Sequence, residues 1–73
     1  MFLFFYSTTC PSCHTLMPLL PENTKQINID LNENYDEACL YNVRTVPTLL
    51  QLDEEGVEIL RLERPQPYEM EQF

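Results

Sequence analysis

Phe2-Leu3-Phe4-Phe5-Tyr6-Ser7-Thr8-Thr9-Cys10-Pro11-Ser12-Cys13-His14-Thr15-Leu16-Met17-Pro18 is the stretch on which the fold turns. Residues 2–6 are apolar or aromatic without alternation, as in a strand buried on both faces. Ser7-Thr8-Thr9 reads as a short loop. Cys13, Leu16, Met17 and Leu20 then recur at i, i+3, i+4 and i+7, which is one helical face. Pro11 suits a first helical turn, Pro18 is expected to kink the helix and Pro21 to end it. Cys10 therefore falls where a strand hands over to a helix. A thiol there meets unpaired backbone N–H groups and the positive end of the helix dipole, which favour the thiolate, the attacking species. Cys13 lies one turn on, buried by its own helix and within bonding reach, so it can attack a mixed disulfide formed at Cys10. A Cys10–Cys13 bridge would span only four residues and would stabilise the fold by roughly 2 kcal/mol. So small a constraint points to redox chemistry rather than a structural staple.

Downstream, Lys25-Gln26-Ile27-Asn28-Ile29-Asp30-Leu31 alternates polar and apolar, a second strand. Asn34 followed by Glu37 has the spacing of a reciprocal helix cap, and Tyr35, Ala38 and Cys39 share the face of the helix it would start. On that face Cys39 is expected to be a buried core thiol. Residues 43–46 form a loop ending at Pro47, expected to be cis. Thr48-Leu49-Leu50-Gln51-Leu52 is a third strand, Asp53 to Gly56 a turn, and residues 57–62 a fourth strand antiparallel to the third. The last six residues have room for one helical turn. The order is β-α-β-α-β-β within a single domain, 1–73, with the first two strands parallel through a right-handed crossover and the last two a hairpin. The expected architecture is a mixed four-stranded α/β sheet with helices on its faces.

Composition narrows the function. Twelve acidic residues against four basic ones give a net charge of −8, which opposes binding to a phosphate backbone. A lone glycine, Gly56, excludes a glycine-rich phosphate loop, and no apolar run is long enough to span a membrane. The apolar start lacks a basic leader and is too short for a secretory signal, so a cytoplasmic location is expected. Three cysteines fit transient redox chemistry there better than a disulfide scaffold.

These residues resemble the thioredoxin/glutaredoxin family over about residues 1–64. The likeness rests on the strand, C-x-x-C and helix with a proline five residues past Cys13, on Ile27-Asn28-Ile29-Asp30, on Tyr41-Asn42-Val43-Arg44-Thr45-Val46-Pro47-Thr48, and on the hairpin at Asp53 to Gly56. The resemblance implies a minimal thioredoxin-like fold with a short or absent C-terminal helix, residues 67–73 covering one sheet face through Tyr68, Met70 and Phe73. It implies a dithiol–disulfide oxidoreductase that reduces protein disulfides, with Cys10 the nucleophile and Cys13 the resolving thiol. Thr9, Pro11, Ser12, Thr45, Val46 and Pro47 would surround the substrate. The working group would be the Cys10–Cys13 disulfide itself, with no bound cofactor or metal, recharged by a flavoprotein thioredoxin reductase or by glutathione. Ribonucleotide reductase is a family-typical electron acceptor, and a monomer is expected. This sequence departs from the family at Thr9, where thioredoxins carry tryptophan. It departs again at Phe4, where they carry a buried acid thought to relay protons to the resolving thiol. Glutaredoxins read Pro-Tyr inside the motif, where this chain reads Pro11-Ser12.

Two other readings compete. The fold could serve as a peptide-binding module without catalysis, against which the intact cysteine pair argues. Cys10-Pro11-Ser12-Cys13-His14 also spells the c-type haem attachment signature, which wants a mostly helical fold and a distal ligand such as Met70. A zinc site would have only His14 and Cys39 to complete it. In the redox reading His14 is exposed on the first helical turn, where its charged form favours a thiolate. Arg44 is expected in a surface ion pair, and the acids around Asp53 on a solubilising surface.

Overall fold

The computed structural model describes residues 1–73. Its elements are β1 (Phe2–Tyr6), α1 (Pro11–Leu16) continuing into a 3-10 turn (Met17–Leu19), β2 (Lys25–Asn28), a 3-10 turn (Asn32–Asn34) leading into α2 (Tyr35–Leu40), β3 (Thr48–Leu52), β4 (Glu58–Glu63) and a closing 3-10 segment (Pro67–Gln72). The sheet order is β2-β1-β3-β4. β1 runs parallel to β2, with Phe5 opposite Ile27, and antiparallel to β3, with Leu3 opposite Leu50. β3 and β4 form the expected hairpin, with a register break between Gln51 and Leu52.

Successive residues of a strand face opposite sides of the sheet, so the unbroken apolar run of β1 supplies two cores at once. Leu3 and Phe5 join Ile27, Leu50 and Leu52 beneath Ala38 and Tyr41 of the α2 region. Phe4 points the other way and meets Cys13 and Leu16 of α1, Leu49 and Met70. The two helices thus cover opposite faces, and the strand that ends at the cysteine loop is fully buried at Phe4 and Phe5.

Several local expectations are corrected. α1 stops at Leu16, before the proline, because Pro18 has no N–H to donate to the preceding turn and its ring collides with that turn's carbonyl. β2 ends at Asn28 rather than Leu31. The Asn28 side-chain oxygen accepts the Asp30 N–H at 2.9 Å, a local turn that takes the chain off the sheet and leaves Ile29 and Leu31 exposed. Asn34 makes no side-chain cap; its amide donates to the Asn28 carbonyl at 2.8 Å, and Glu37 takes Lys25 instead. The reciprocal cap occurs near the C-terminus, between Gln66 and Glu69. Cys39 is exposed, not buried: α2 meets the sheet through Ala38, and the next residue on so short a helix points away. β4 runs one residue later than expected. The Asp53 carboxylate holds the turn by accepting the Glu55 and Val57 N–H groups, each at 2.9 Å, while Gly56 takes the positive φ of 84° that the turn demands. Of the C-terminal residues, Met70 is buried and Phe73 rests edge-on against Phe2 at 5.1 Å, while Tyr68 stays exposed. Arg44 forms no ion pair; its Nε donates to Asn42 Oδ1 at 3.1 Å. No helix is long and apolar enough to cross a membrane.

Candidate functional site

Cys10 occupies the N-cap of α1, in an extended conformation, as strand-loop-helix patterning requires. Its Sγ accepts the Cys13 backbone N–H at 3.2 Å, so one of the helix's unpaired donors is aimed at the sulfur. Its own N–H donates to the Ser7 carbonyl at 3.2 Å, which closes the loop behind it. Cys10 is half-buried, Cys13 is fully buried, and both thiols are free.

The environments of the two sulfurs differ sharply. Cys13 sits among Phe4, Leu16, Leu49 and Met70, with no charged side chain in the cluster. Burial, reinforced by the hydrogen bond with Cys10, pushes its thiol up from 9.0 to about 11. The cause is simple: an apolar cavity cannot solvate a thiolate. The folded chain therefore keeps this proton over a range in which the unfolded chain has lost it. A raised value means stability that is fully present below pH 9 and declines as the pH climbs from about 9 to 11, by about 3 kcal/mol in all. Urea unfolding of the wild type and Cys13→Ala across that range tests this. The wild-type curve should fall more steeply, and parallel curves would remove the assignment.

The loop before Cys10 is held by an acid that lies far from it in sequence. The Asp30 carboxylate accepts the Thr8 hydroxyl at 2.8 Å, the Thr8 N–H at 3.1 Å and the Ser7 hydroxyl at 2.9 Å. These donors, the Thr8 hydroxyl foremost, hold the Asp30 carboxyl below the usual carboxylate range. The other side of the loop is tied down by His14, whose Nε2 donates to the Thr8 carbonyl at 2.9 Å. His14 is exposed, as expected, but its ring is spent on this backbone contact rather than turned toward a ligand.

Facing the thiols is the loop that precedes β3. The Val46–Pro47 peptide is cis, and Pro47 is buried. A groove of about 530 Å³ runs between this loop and α1, with Cys10, Pro11, Ser12, Val46 and Pro47 among its walls. Thus the structure brings Cys10 together with four of the six residues expected around the substrate. Thr9 and Thr45 are not part of that wall. Thr9 turns to the Ser7 hydroxyl at 3.0 Å, and Thr45 lines a smaller hollow of about 210 Å³ on the α2 side. The remaining wall was not foreseen: Thr15 and Leu16 extend it along α1, and Arg64, Pro65, Gln66 and Pro67 close the groove from the far end of β4. A charged residue between a strand and two prolines was the available signal, since such a segment has to leave the sheet and lie across a neighbouring surface.

Comparison with known proteins gives a consistent picture. The family described as Thioredoxin matches residues 1–72. A thioredoxin of Buchnera aphidicola (subspecies Acyrthosiphon pisum) is 26% identical over 76 residues, which cover 94% of this chain and 70% of that protein. Among solved structures, reduced thioredoxin pre-protein of Schistosoma mansoni superposes with a TM-score of 0.78 at 20% identity, over 97% of this chain and 71% of that one. Mitochondrial thioredoxin 3 of Saccharomyces cerevisiae in its oxidised form gives 0.75 at 24% identity, over 97% and 72%. The two structures share the fold with this chain.

Proposed function

The chain belongs to the thioredoxin family of thiol–disulfide oxidoreductases, and from that premise we propose that it reduces protein disulfides through Cys10 and Cys13. The observation that carries this reading is the asymmetry of the two thiols: one half-buried on a groove with a backbone donor aimed at it, the other sealed in an apolar core directly behind. In the first step the Cys10 thiolate attacks one sulfur of the substrate. A Cys10–substrate bond forms, the substrate S–S bond breaks, and the departing sulfur takes a proton. In the second step the Cys13 thiol gives up its proton and attacks Cys10 Sγ. The mixed disulfide breaks, Cys10–Cys13 forms, and the second substrate sulfur leaves as a thiol. Two electrons have passed from the chain to the substrate.

Extended substrate segments lie along Val46 and Pro47, beside Cys10. The oxidised chain is returned to the dithiol by glutathione or by a flavoprotein reductase, in a reducing compartment such as the cytoplasm. The competing haem reading is disfavoured by the sheet-based fold and by the Cys13 and Met70 side chains, which fill the core instead of facing a macrocycle. The test is stoichiometric: reduced protein is mixed with insulin, and both products are mapped by mass. One Cys10–Cys13 bridge should appear for each insulin disulfide opened. Intact insulin, or a bridge involving Cys39, would refute the proposal.

A further inference from the structure

Four cationic side chains stand against twelve acids, and three of the four are occupied. Lys25 meets Glu37 at 3.3 Å, Arg61 meets Glu58 at 2.8 Å and Glu63 at 3.2 Å, and Arg44 donates to Asn42. Arg64 alone has no side-chain partner; it is exposed, and it lines the same groove as Cys10. The nearby acids are already taken: Glu63 by Arg61, and Glu69 by the Gln66 N–H at 2.6 Å.

The backbone of Arg64 is fixed as well. Its N–H donates to the Pro47 carbonyl at 2.7 Å, which ties it to the loop facing the thiols. Its φ is 51°, in the left-handed region that glycine enters far more readily than a branched-out cation. A long guanidinium is therefore held, unpaired and at a conformational cost, at the rim of the reactive groove of a strongly acidic protein.

We propose that Arg64 selects disulfides flanked by a carboxylate, pairing with that carboxylate while Cys10 meets the sulfur. The chemistry fits an acidic side chain beside the cysteine of a protein substrate, or the carboxylates of glutathione disulfide. The inference rests on the groove being where a disulfide docks. Elsewhere the surface repels anions, so the attraction is local and is weakened by salt.

Two matched pairs of substrates test it. One pair is a disulfide peptide with Glu beside its cysteine and the same peptide with Gln. The other is glutathione disulfide and its fully esterified form. The wild type should favour the carboxylate member in kcat/KM by roughly three- to tenfold, mainly through KM, and less so at high salt. The pair that shows the preference identifies the source of the carboxylate. In Arg64→Gly the ratio should fall to unity or below, and Arg64→Lys should restore part of it. Glycine accepts the left-handed φ, and a ratio measured on one preparation does not depend on the fraction folded. Equal rates within both pairs for the wild type, or an Arg64→Gly variant that slows both members alike, would overturn the proposal and leave the reductase reading intact. A wild type that opens no disulfide in either pair would overturn both.

Discussion

Cys13→Ser is expected to stall with its substrate covalently attached, whereas Cys10→Ser forms no adduct and turns over no faster than background. The difference follows from access. Cys10 is half-buried on the groove, and a partner sulfur reaches it; Cys13 is fully buried and has Cys10 as its reachable sulfur. Without Cys13 the first exchange proceeds and the second has no attacking thiol. The wild-type second step carries its own signature. Burial in the apolar core raises the Cys13 thiol, and the same burial persists when Cys10 is joined to a substrate, so little Cys13 thiolate is present near neutral pH. Release should therefore accelerate as the pH rises, by up to about tenfold per unit, while the adduct of Cys13→Ser should be indifferent to it. Non-reducing electrophoresis with mass mapping of the adduct reads both effects. Because Cys39 is an exposed third thiol, the comparison belongs in a Cys39→Ala background. An adduct on Cys13 in the Cys10→Ser variant would reverse the assigned roles, and undiminished turnover by Cys13→Ser would abolish the two-thiol scheme.

Phe4→Ala should bring the fold close to collapse. The ring is fully buried and touches the residues that seat α1: Cys13, Leu16 and Leu49, with Met70 behind. Deleting an aromatic side chain from such a position costs about 3–5 kcal/mol in lost burial and residual cavity. Domains are stable by only about 5–15 kcal/mol, and the shortest sit at the low end because they bury less of their surface. Most of the margin would be gone. Tyr68→Ala supplies the contrast, since Tyr68 is 69% exposed; its cost should stay within about 0.5 kcal/mol. Urea midpoints compare the two. A loss below about 1 kcal/mol for Phe4→Ala would show that α1 does not depend on that ring. The same contact explains a departure noted in the sequence. Thioredoxins carry an acid at the position of Phe4, and with a phenyl ring there the resolving thiol has no carboxylate beneath it in this core.

What could be read from the residues was decided by short-range chemistry. The double-sided apolar run of β1 and the lone glycine at the hairpin leave few local alternatives and stand where the patterning put them, and the spacing after Cys10 gives the buried face correctly although the α-helix itself stops at Leu16. The cis peptide before Pro47 and the parallel β1–β2 pair followed from topology and resemblance. What could not be read depended on partners distant in the chain. Asn34 has a perfectly ordinary cap spacing, yet the Asn28 carbonyl competes for its amide. Cys39 lies one residue beyond Ala38, and only the angle at which α2 lands on the sheet decides which of them is covered. Asp30 looked like the tail of a strand and is in fact the anchor of the cysteine loop. Arg64 reaches the site because Pro47 supplies the carbonyl that catches its N–H, a bond between segments seventeen residues apart.

One isopropyl group ties these parts together. Val46 packs against both hydrophobic cores and stands in the wall of both hollows, the one beside Cys10 and the one beside α2. Neither recess can be recut independently of the other: a bulkier or smaller residue at that point moves two walls and disturbs both layers of the interior together. Whoever sets out to retune what this groove accepts will find its freest surface at Arg64 and its least forgiving one at Val46.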